Sequence, residues 1–254
     1  MYRQLALMGL SLTVAAPLWA SPLEIGGGLE QFVWEEFDDG GTKLIKESGP
    51  RAFVSLEKEN EVSERWTYGF RGRFYSGTVD CDGQLKAGGS CTSNDTDYDG
   101  LAMTADFTGR FLGADGEYSD LGLRLAVGGE TWQRSLSGAS SYSEEYVVFF
   151  GKLGLAYTPE QGLFGEVGAK YPFSVDEDVD LYDDLSLSPQ GAMSLYAQVG
   201  YNLNQRWVIK GYYDSYRFKA SDTEPLINGG TLVGDVKQAE SNMDTLGVML
   251  GFYF

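Results

Sequence analysis

The 254-residue chain contains no histidine, only 2 cysteines and only 7 prolines. Each scarcity removes a class of chemistry. Without imidazole there is no Ser-His-Asp or Cys-His pair, and no side chain whose ordinary pKa places a proton transfer near neutrality. A catalytic site built from two carboxylates remains formally possible. Two thiols without imidazole are also too few for a structural zinc centre. Basic residues are outnumbered, 19 Lys+Arg against 37 Asp+Glu, for a formal net charge of −18. Such a surface repels a phosphate backbone, which excludes nucleic acid as a partner. Past residue 20 no stretch approaches the roughly 18 consecutive apolar residues of a spanning helix.

What the chain does have is glycine and rings: 34 Gly, 16 Tyr, 14 Phe and 5 Trp. That aromatic content separates it from acidic, disordered chains. The first 20 residues carry a basic start at Arg3, an apolar run from Leu5 to Val14 and a small-residue junction at Ala20. They read as a secretory signal peptide, with no cysteine at the junction to take a lipid anchor. Residues 21–254 then form one large β domain. In an exported chain, Cys81 and Cys91 within a Gly-, Ser- and Asp-rich stretch predict a disulfide stapling one loop.

Apolar residues recur at every second position, the period of a strand with two unlike faces. Over 64–76, Trp66, Tyr68, Phe70 and Phe74 take one face, while Arg65, Thr67, Arg71 and Arg73 take the other. Three arginines on the buried face of a soluble sandwich would be ruinous. In a membrane barrel they point into a wet interior and the rings meet lipid. The same split recurs at 51–58, 101–111, 121–130, 147–157, 166–173, 193–203 and 207–214. The first strand, 23–36, is the least regular, because Gln31 falls on its lipid face and suggests a bulge or an end there.

The final strand sends Leu246, Val248, Leu250, Phe252 and Phe254 outward and Thr245, Gly247, Met249, Gly251 and Tyr253 inward. Ending on alternating Phe252 and Phe254, it resembles the C-terminal signature of the outer-membrane β-barrels of Gram-negative bacteria. That resemblance implies recognition by the barrel-assembly machinery and closure of the last strand against the first. The fold class expected is all-β, a closed antiparallel up-and-down transmembrane barrel of ten strands. Eight remain if the first two are misread, and twelve if 220–240 hides a hairpin.

Connections supply an independent check, since such barrels have long loops outside and short turns in the periplasm. Outer loops are expected at 37–50, 77–98, 135–143, 174–190 and 220–240, and shorter inner turns at 59–63, 112–119, 158–162 and 204–205. Rings at strand ends would form interfacial belts: Trp66, Phe111, Tyr157, Tyr201, Trp207, Phe252 and Phe254 on the inner side, with Phe74, Tyr171, Phe173 and Tyr213 on the outer side.

Inside the barrel, Arg65, Arg71, Arg73, Arg110, Arg124, Lys152, Lys170 and Lys210 face Glu57, Asp106, Glu130, Glu166 and Asp214. Buried charges must pair, so a filled, charged lumen is expected. Interior glycines (Gly69, Gly128, Gly154, Gly168, Gly200, Gly251) would leave room for water and a narrow path for ions. Asp95, Asp97, Asp99 and Gly100 match the first half of a calcium loop, although its closing Glu is missing. Asp176, Glu177, Asp178, Asp180, Asp183 and Asp184 crowd another outer loop, where divalent cations could bridge to lipopolysaccharide phosphates. Ten strands also resemble the omptin proteases, whose site needs a histidine that this chain lacks.

Expected, therefore, is a monomeric, non-enzymatic protein of the cell outer membrane, without a resident cofactor. Its surroundings are outer-membrane lipid and lipopolysaccharide, and its acidic outer loops make adhesin-like contacts. The alternatives are a narrow channel for ions or small solutes and, more remotely, a hydrolase built from acids alone.

Overall fold

Two-faced sequence stretches become ten antiparallel strands: β1 (Leu23–Phe37), β2 (Lys43–Ser63), β3 (Trp66–Leu85), β4 (Asn94–Leu112), β5 (Tyr118–Leu136), β6 (Tyr142–Tyr157), β7 (Leu163–Val179), β8 (Gln190–Ala192 and Ser194–Asn202), β9 (Trp207–Lys219) and β10 (Glu240–Tyr253). The computed structural model describes residues 22–254 except 86–88, 91–93, 114–115, 137–141, 160, 181–184 and 229. The expected signal segment, Cys91, Asp183 and Asp184 lie outside the described residues.

Each strand pairs with the next, and β10 pairs with both β9 and β1, from Glu24↔Tyr253 to Phe37↔Glu240. The ring is closed at ten. Residues 220–239 do hold a hairpin, but it forms a separate two-stranded sheet and leaves the barrel count unchanged. A closed ring has no unpaired edge, the condition for backbone to sit in hydrocarbon.

The strands are longer than expected. β2 has 21 residues and β3 has 20, about twice the roughly 9–11 that a tilted strand needs to cross a bilayer. Most of 37–50, 77–98 and 174–190, read from the sequence as loop, is strand among the described residues, as are the described ends of 135–143. The cause lies in a change of face. Near the short turns, apolar side chains point out and polar ones in. Toward the long connections the pattern inverts. On β5, Leu121, Leu123, Leu125 and Val127 are exposed, whereas Trp132 and Leu136 are buried and Gln133 faces out. On β1, Leu29 is exposed while Phe32 and Trp34 are fully buried, with Gln31 outside. No bulge or strand end occurs at Gln31; the β1–β2 register runs unbroken from Leu23 to Glu36. The outer surface of the first zone suits hydrocarbon and that of the second suits water, as on an ordinary water-soluble barrel.

Of the expected belt residues, Phe111, Tyr157, Tyr201, Trp207, Phe254, Phe74, Tyr171 and Phe173 are exposed, whereas Trp66, Phe252 and Tyr213 are half-buried, the last with its hydroxyl on Asp244. Trp66 stacks on Phe107, and Trp207 meets Phe252 edge-on. The space over the interior glycines is taken up by neighbouring side chains. Gly28–Phe53, Gly100–Tyr75, Gly128–Phe150, Gly200–Phe164 and Gly247–Tyr212 are direct cross-strand partners, and a Cβ on any of these glycines would press into the ring opposite. Gly154 and Gly168 likewise seat Tyr196, Gly69 lies under Asp106, and Gly251 under Glu24. Each glycine is a seat for a neighbour's bulk, which lets large rings lie flat along the wall.

Candidate functional site

The lumen is stacked in layers. At the turn end, Arg71 and Arg124 grip Glu166 from two sides at 2.7 and 2.6 Å. Arg124 also reaches Glu59 at 2.9 Å, and both guanidiniums flank Asp106 at 3.6 and 3.4 Å. Lys210 bridges Glu57 at 2.7 Å and Glu24 at 2.8 Å. A cavity of about 190 Å³ lies among these groups, and a second of about 110 Å³ lies deeper; Glu57, Arg71, Glu166 and Gln198 line both.

In the middle layer Lys170 and Lys152 converge on Asp214. Arg51 pairs with Glu30 while its guanidinium lies between the rings of Phe32 and Tyr75, 3.9 and 4.1 Å from their centres. Arg73 and Tyr212 add two more donors to Glu30. Tyr75 and Tyr216 donate to the two oxygens of Glu130 at 2.8 and 2.7 Å. These cations and anions are nearly matched, as burial requires.

Above them the lumen is filled by rings. Trp34, Trp132, Tyr146 and Phe218 come from four strands, and none is more than 1% exposed. Trp132 stacks on Tyr146 with centroids 4.8 Å apart, Trp34 tilts against Tyr146 at 5.6 Å, and Phe218 stacks on Tyr216 at 5.5 Å. This is a packed core inside the ring.

Next to it, in the part of the barrel that stands clear of the apolar belt, Arg134 of β5 gathers three carboxylates. It reaches Glu144 of β6 at 2.6 Å, Glu47 of β2 at 2.8 Å and Glu36 of β1 at 3.1 Å. Thr96 and Tyr98 of β4 donate to Glu47, and the Trp34 indole donates to Glu36 at 3.0 Å. All four charged groups are at least nine-tenths buried. Burial alone would depress the guanidinium, but Glu144 and then Glu47 overcome that and hold Arg134 well above the ordinary arginine range. Burial, reinforced by Glu47, raises the Tyr98 phenol well above 10.

Most of the expected lumen network is therefore assembled, with two corrections. Arg65 sits on the exposed β2–β3 turn, with its guanidinium 4.7 Å from the Trp66 ring centre. Arg110 bonds the Glu64 carbonyl at 3.4 Å instead of a lumen carboxylate. Arg65 lies beyond the strand, whereas Arg110 is still paired with Gly122 near the turn end of β4. The sequence reading missed Glu24, Glu30 and the whole Arg134 cluster. The cluster was legible as Trp132-x-Arg134-x-Leu136, an alternation in the opposite phase to the membrane part of the same strand.

The expected calcium loop is instead strand. Asp95, Asp97 and Asp99 occupy alternate outward positions of β4, with Thr78 bonding Asp97 at 2.6 Å. An extended chain spreads such carboxylates along a line, whereas a calcium loop wraps them round a point. Among the described residues, no three His, Cys, Asp or Glu side chains are grouped to hold a metal ion. Asp176 and Asp178 also face outward, on β7, whereas Glu177 is buried and Asp180 accepts bonds from Ser143. Cys81 is a buried, inward position of β3.

Among solved structures the chain is similar to the outer membrane protease OmpT from Escherichia coli, with a TM-score of 0.54, 11% identity, and coverage of 92% of this chain and 97% of that one. The fold is that of a Gram-negative outer-membrane barrel. Also similar in outline are the translocator domain of the autotransporter NalP from Neisseria meningitidis (TM-score 0.43, 13% identity, 92% and 88% covered) and Ail, the attachment invasion locus protein of Yersinia pestis (0.40, 13%, 92% and 99%). No family model matches the chain. No curated protein matches it. At such identities the likeness concerns the outer-membrane barrel fold alone.

Proposed function

We propose that this chain is an integral protein of the outer membrane that acts by contact at its loop end, and that it neither conducts solutes nor catalyses a reaction. The observation that carries this reading is the ring of buried aromatic side chains across the lumen. Trp34, Trp132, Tyr146 and Phe218 belong to barrel strands, so no loop or plug domain can swing aside to open a path. The cavities below them support a dead end on the turn side, not a pore.

An acid-only hydrolase fares no better on this reading. The lumen carboxylates Glu166 and Glu57 are each held by basic side chains, which suits structure better than proton transfer. What stands clear of the apolar belt is a rigid rim with outward Asp95, Asp97, Asp99, Glu145, Asp176 and Asp178. Lipid and lipopolysaccharide would surround the belt, and the barrel-assembly machinery would read Phe252 and Phe254. We take the barrel as a monomer without a cofactor.

The reading is tested by planar-bilayer recording of the refolded protein. Silence at either polarity is expected. A stable unit conductance would replace the contact role with a channel.

A further inference from the structure

The connection between β9 and β10 differs from the others. Its middle folds into a sheet of its own, Glu224–Asn228 against Thr231–Val236, that joins no barrel strand. The base is tied: Ser221 N–H bonds the Gln238 carbonyl at 3.0 Å, Gln238 N–H bonds Ser221 Oγ at 2.8 Å, and Lys237 pairs with Asp39 at 2.6 Å. The pairing shifts register between Leu226 and Ile227, which leaves Val233 as the extra residue of a bulge in Thr231–Val236, and Gly230 at φ +78° lies in the turn, a conformation that only glycine enters without strain. The arm is thus a built hairpin on a fixed base.

Three features of the arm point to one kind of partner. A two-stranded ribbon leaves the outward N–H and C=O groups of both edges unpaired, a template for another strand. Pro225 blunts one edge, because proline has no N–H to offer. Thr231–Val236 contains no proline and pairs with no third strand, so its edge stays available on either side of the bulged Val233. Ile227 and Leu232 are cross-strand partners, 40% and 64% exposed, and make an apolar pair in open solvent. Asp222, Glu224 and Asp235 are exposed acids on the same connection. Its one basic residue, Lys237, is neutralised by Asp39.

We propose that the arm docks an extended, basic polypeptide segment by strand addition along Thr231–Val236, with apolar side chains over Ile227 and Leu232 and Lys or Arg near the arm's acids. A second copy of the chain would bring the same acids to the same edge, and phosphate-rich saccharides carry the wrong charge. The inference rests on the contact reading above and locates its surface on the arm.

The test uses the full chain refolded in detergent micelles and a fluorescein-labelled decapeptide of alternating Lys and Val. A peptide of equal charge with two internal prolines is the control. Replacing 224–236 by a short Gly-Ser linker should weaken binding by about tenfold or more, and the proline peptide should bind wild type as poorly. Asp235→Lys, which leaves the hairpin backbone intact, should weaken it by about threefold. The proposal is overturned if wild type binds no peptide, if the armless barrel binds equally well, or if the proline peptide binds equally well. Self-association of wild type that vanishes with the arm would also overturn it, in favour of a second copy. Conductance is measured separately, so failure of the arm and failure of the closed-barrel reading are distinguishable.

Discussion

Arg134 is the residue on which the rim turns. Its cation is shared by Glu36, Glu47 and Glu144, carried on three different strands, so one side chain ties β1, β2 and β6 to β5. Breaking a buried ion pair from one side costs about 3–5 kcal/mol, because the opposite charge stays behind without a partner. Arg134→Met is expected to destabilise the barrel by that order, read as a lower urea midpoint in micelles. Arg134→Lys should recover only part of the loss, since an ammonium is a point charge and cannot fork toward three carboxylates. A midpoint unmoved by Arg134→Met would mean that the cluster is not structural. Tyr98 adds a pH dependence. Its folded-state pKa lies well above the ordinary 10 through burial and Glu47. A raised value means that the stabilisation is whole below about pH 10 and fades as pH rises beyond it, when the unfolded chain ionises first. Absorbance at 295 nm should therefore show the Tyr98 step, identified by its loss in Tyr98→Phe, only together with unfolding; a Tyr98 step near pH 10 with the barrel still folded would contradict this.

At the scale of the strand, the membrane part was legible and the rim was not, for a single physical reason. Period-2 alternation shows that a segment is strand, but which face is apolar depends on the solvent outside. On β10, Leu246, Val248 and Leu250 keep one phase almost to the end, and the sequence reading placed that strand and its inward partners correctly. On β5 the phase reverses between Val127 and Trp132, so the outer half resembled a loop when judged by the membrane pattern. Gln31 raised the same suspicion on β1. The charged lumen was read for most of the part within the apolar belt, except Glu24 and Glu30 of β1, and was missed altogether at Glu36, Glu47, Arg134 and Glu144 above it. The reversal also makes a prediction. Val248 faces out between Leu29 and Gly211, at mid-belt, and Val248→Arg should cost about 2–4 kcal/mol in lipid. Gln133 faces out between Asp99 and Glu145, above the reversal, where Gln133→Arg should be neutral or stabilising by up to about 1 kcal/mol. Folding into vesicles, compared for the two variants, checks the sign; equal costs would mean that the belt extends past the rim.

The molecule as a whole joins two solvents' worth of design in one ring: a polar, ion-paired lumen within the lipid belt, and an aromatic core where the barrel stands in water. The join is also the seal. The charged layers leave cavities of about 190 and 110 Å³ on the turn side of the rings. Since Trp34, Trp132 and Phe218 touch one another within 6.5 Å between centroids, removing one lets its neighbours lean in, whereas removing all three leaves a gap wider than the survivors can cover. Single alanine variants should stay silent in a planar bilayer. The triple variant Trp34→Ala, Trp132→Ala, Phe218→Ala should open a small conductance, provided it still migrates as a folded barrel before heating. The Arg134 cluster lies beside that layer with more carboxylates than cations, so the current should favour cations. A silent triple variant that is demonstrably folded would move the seal elsewhere in the lumen, most directly to the Arg51–Glu30 and Lys170–Asp214 pairs of the middle layer.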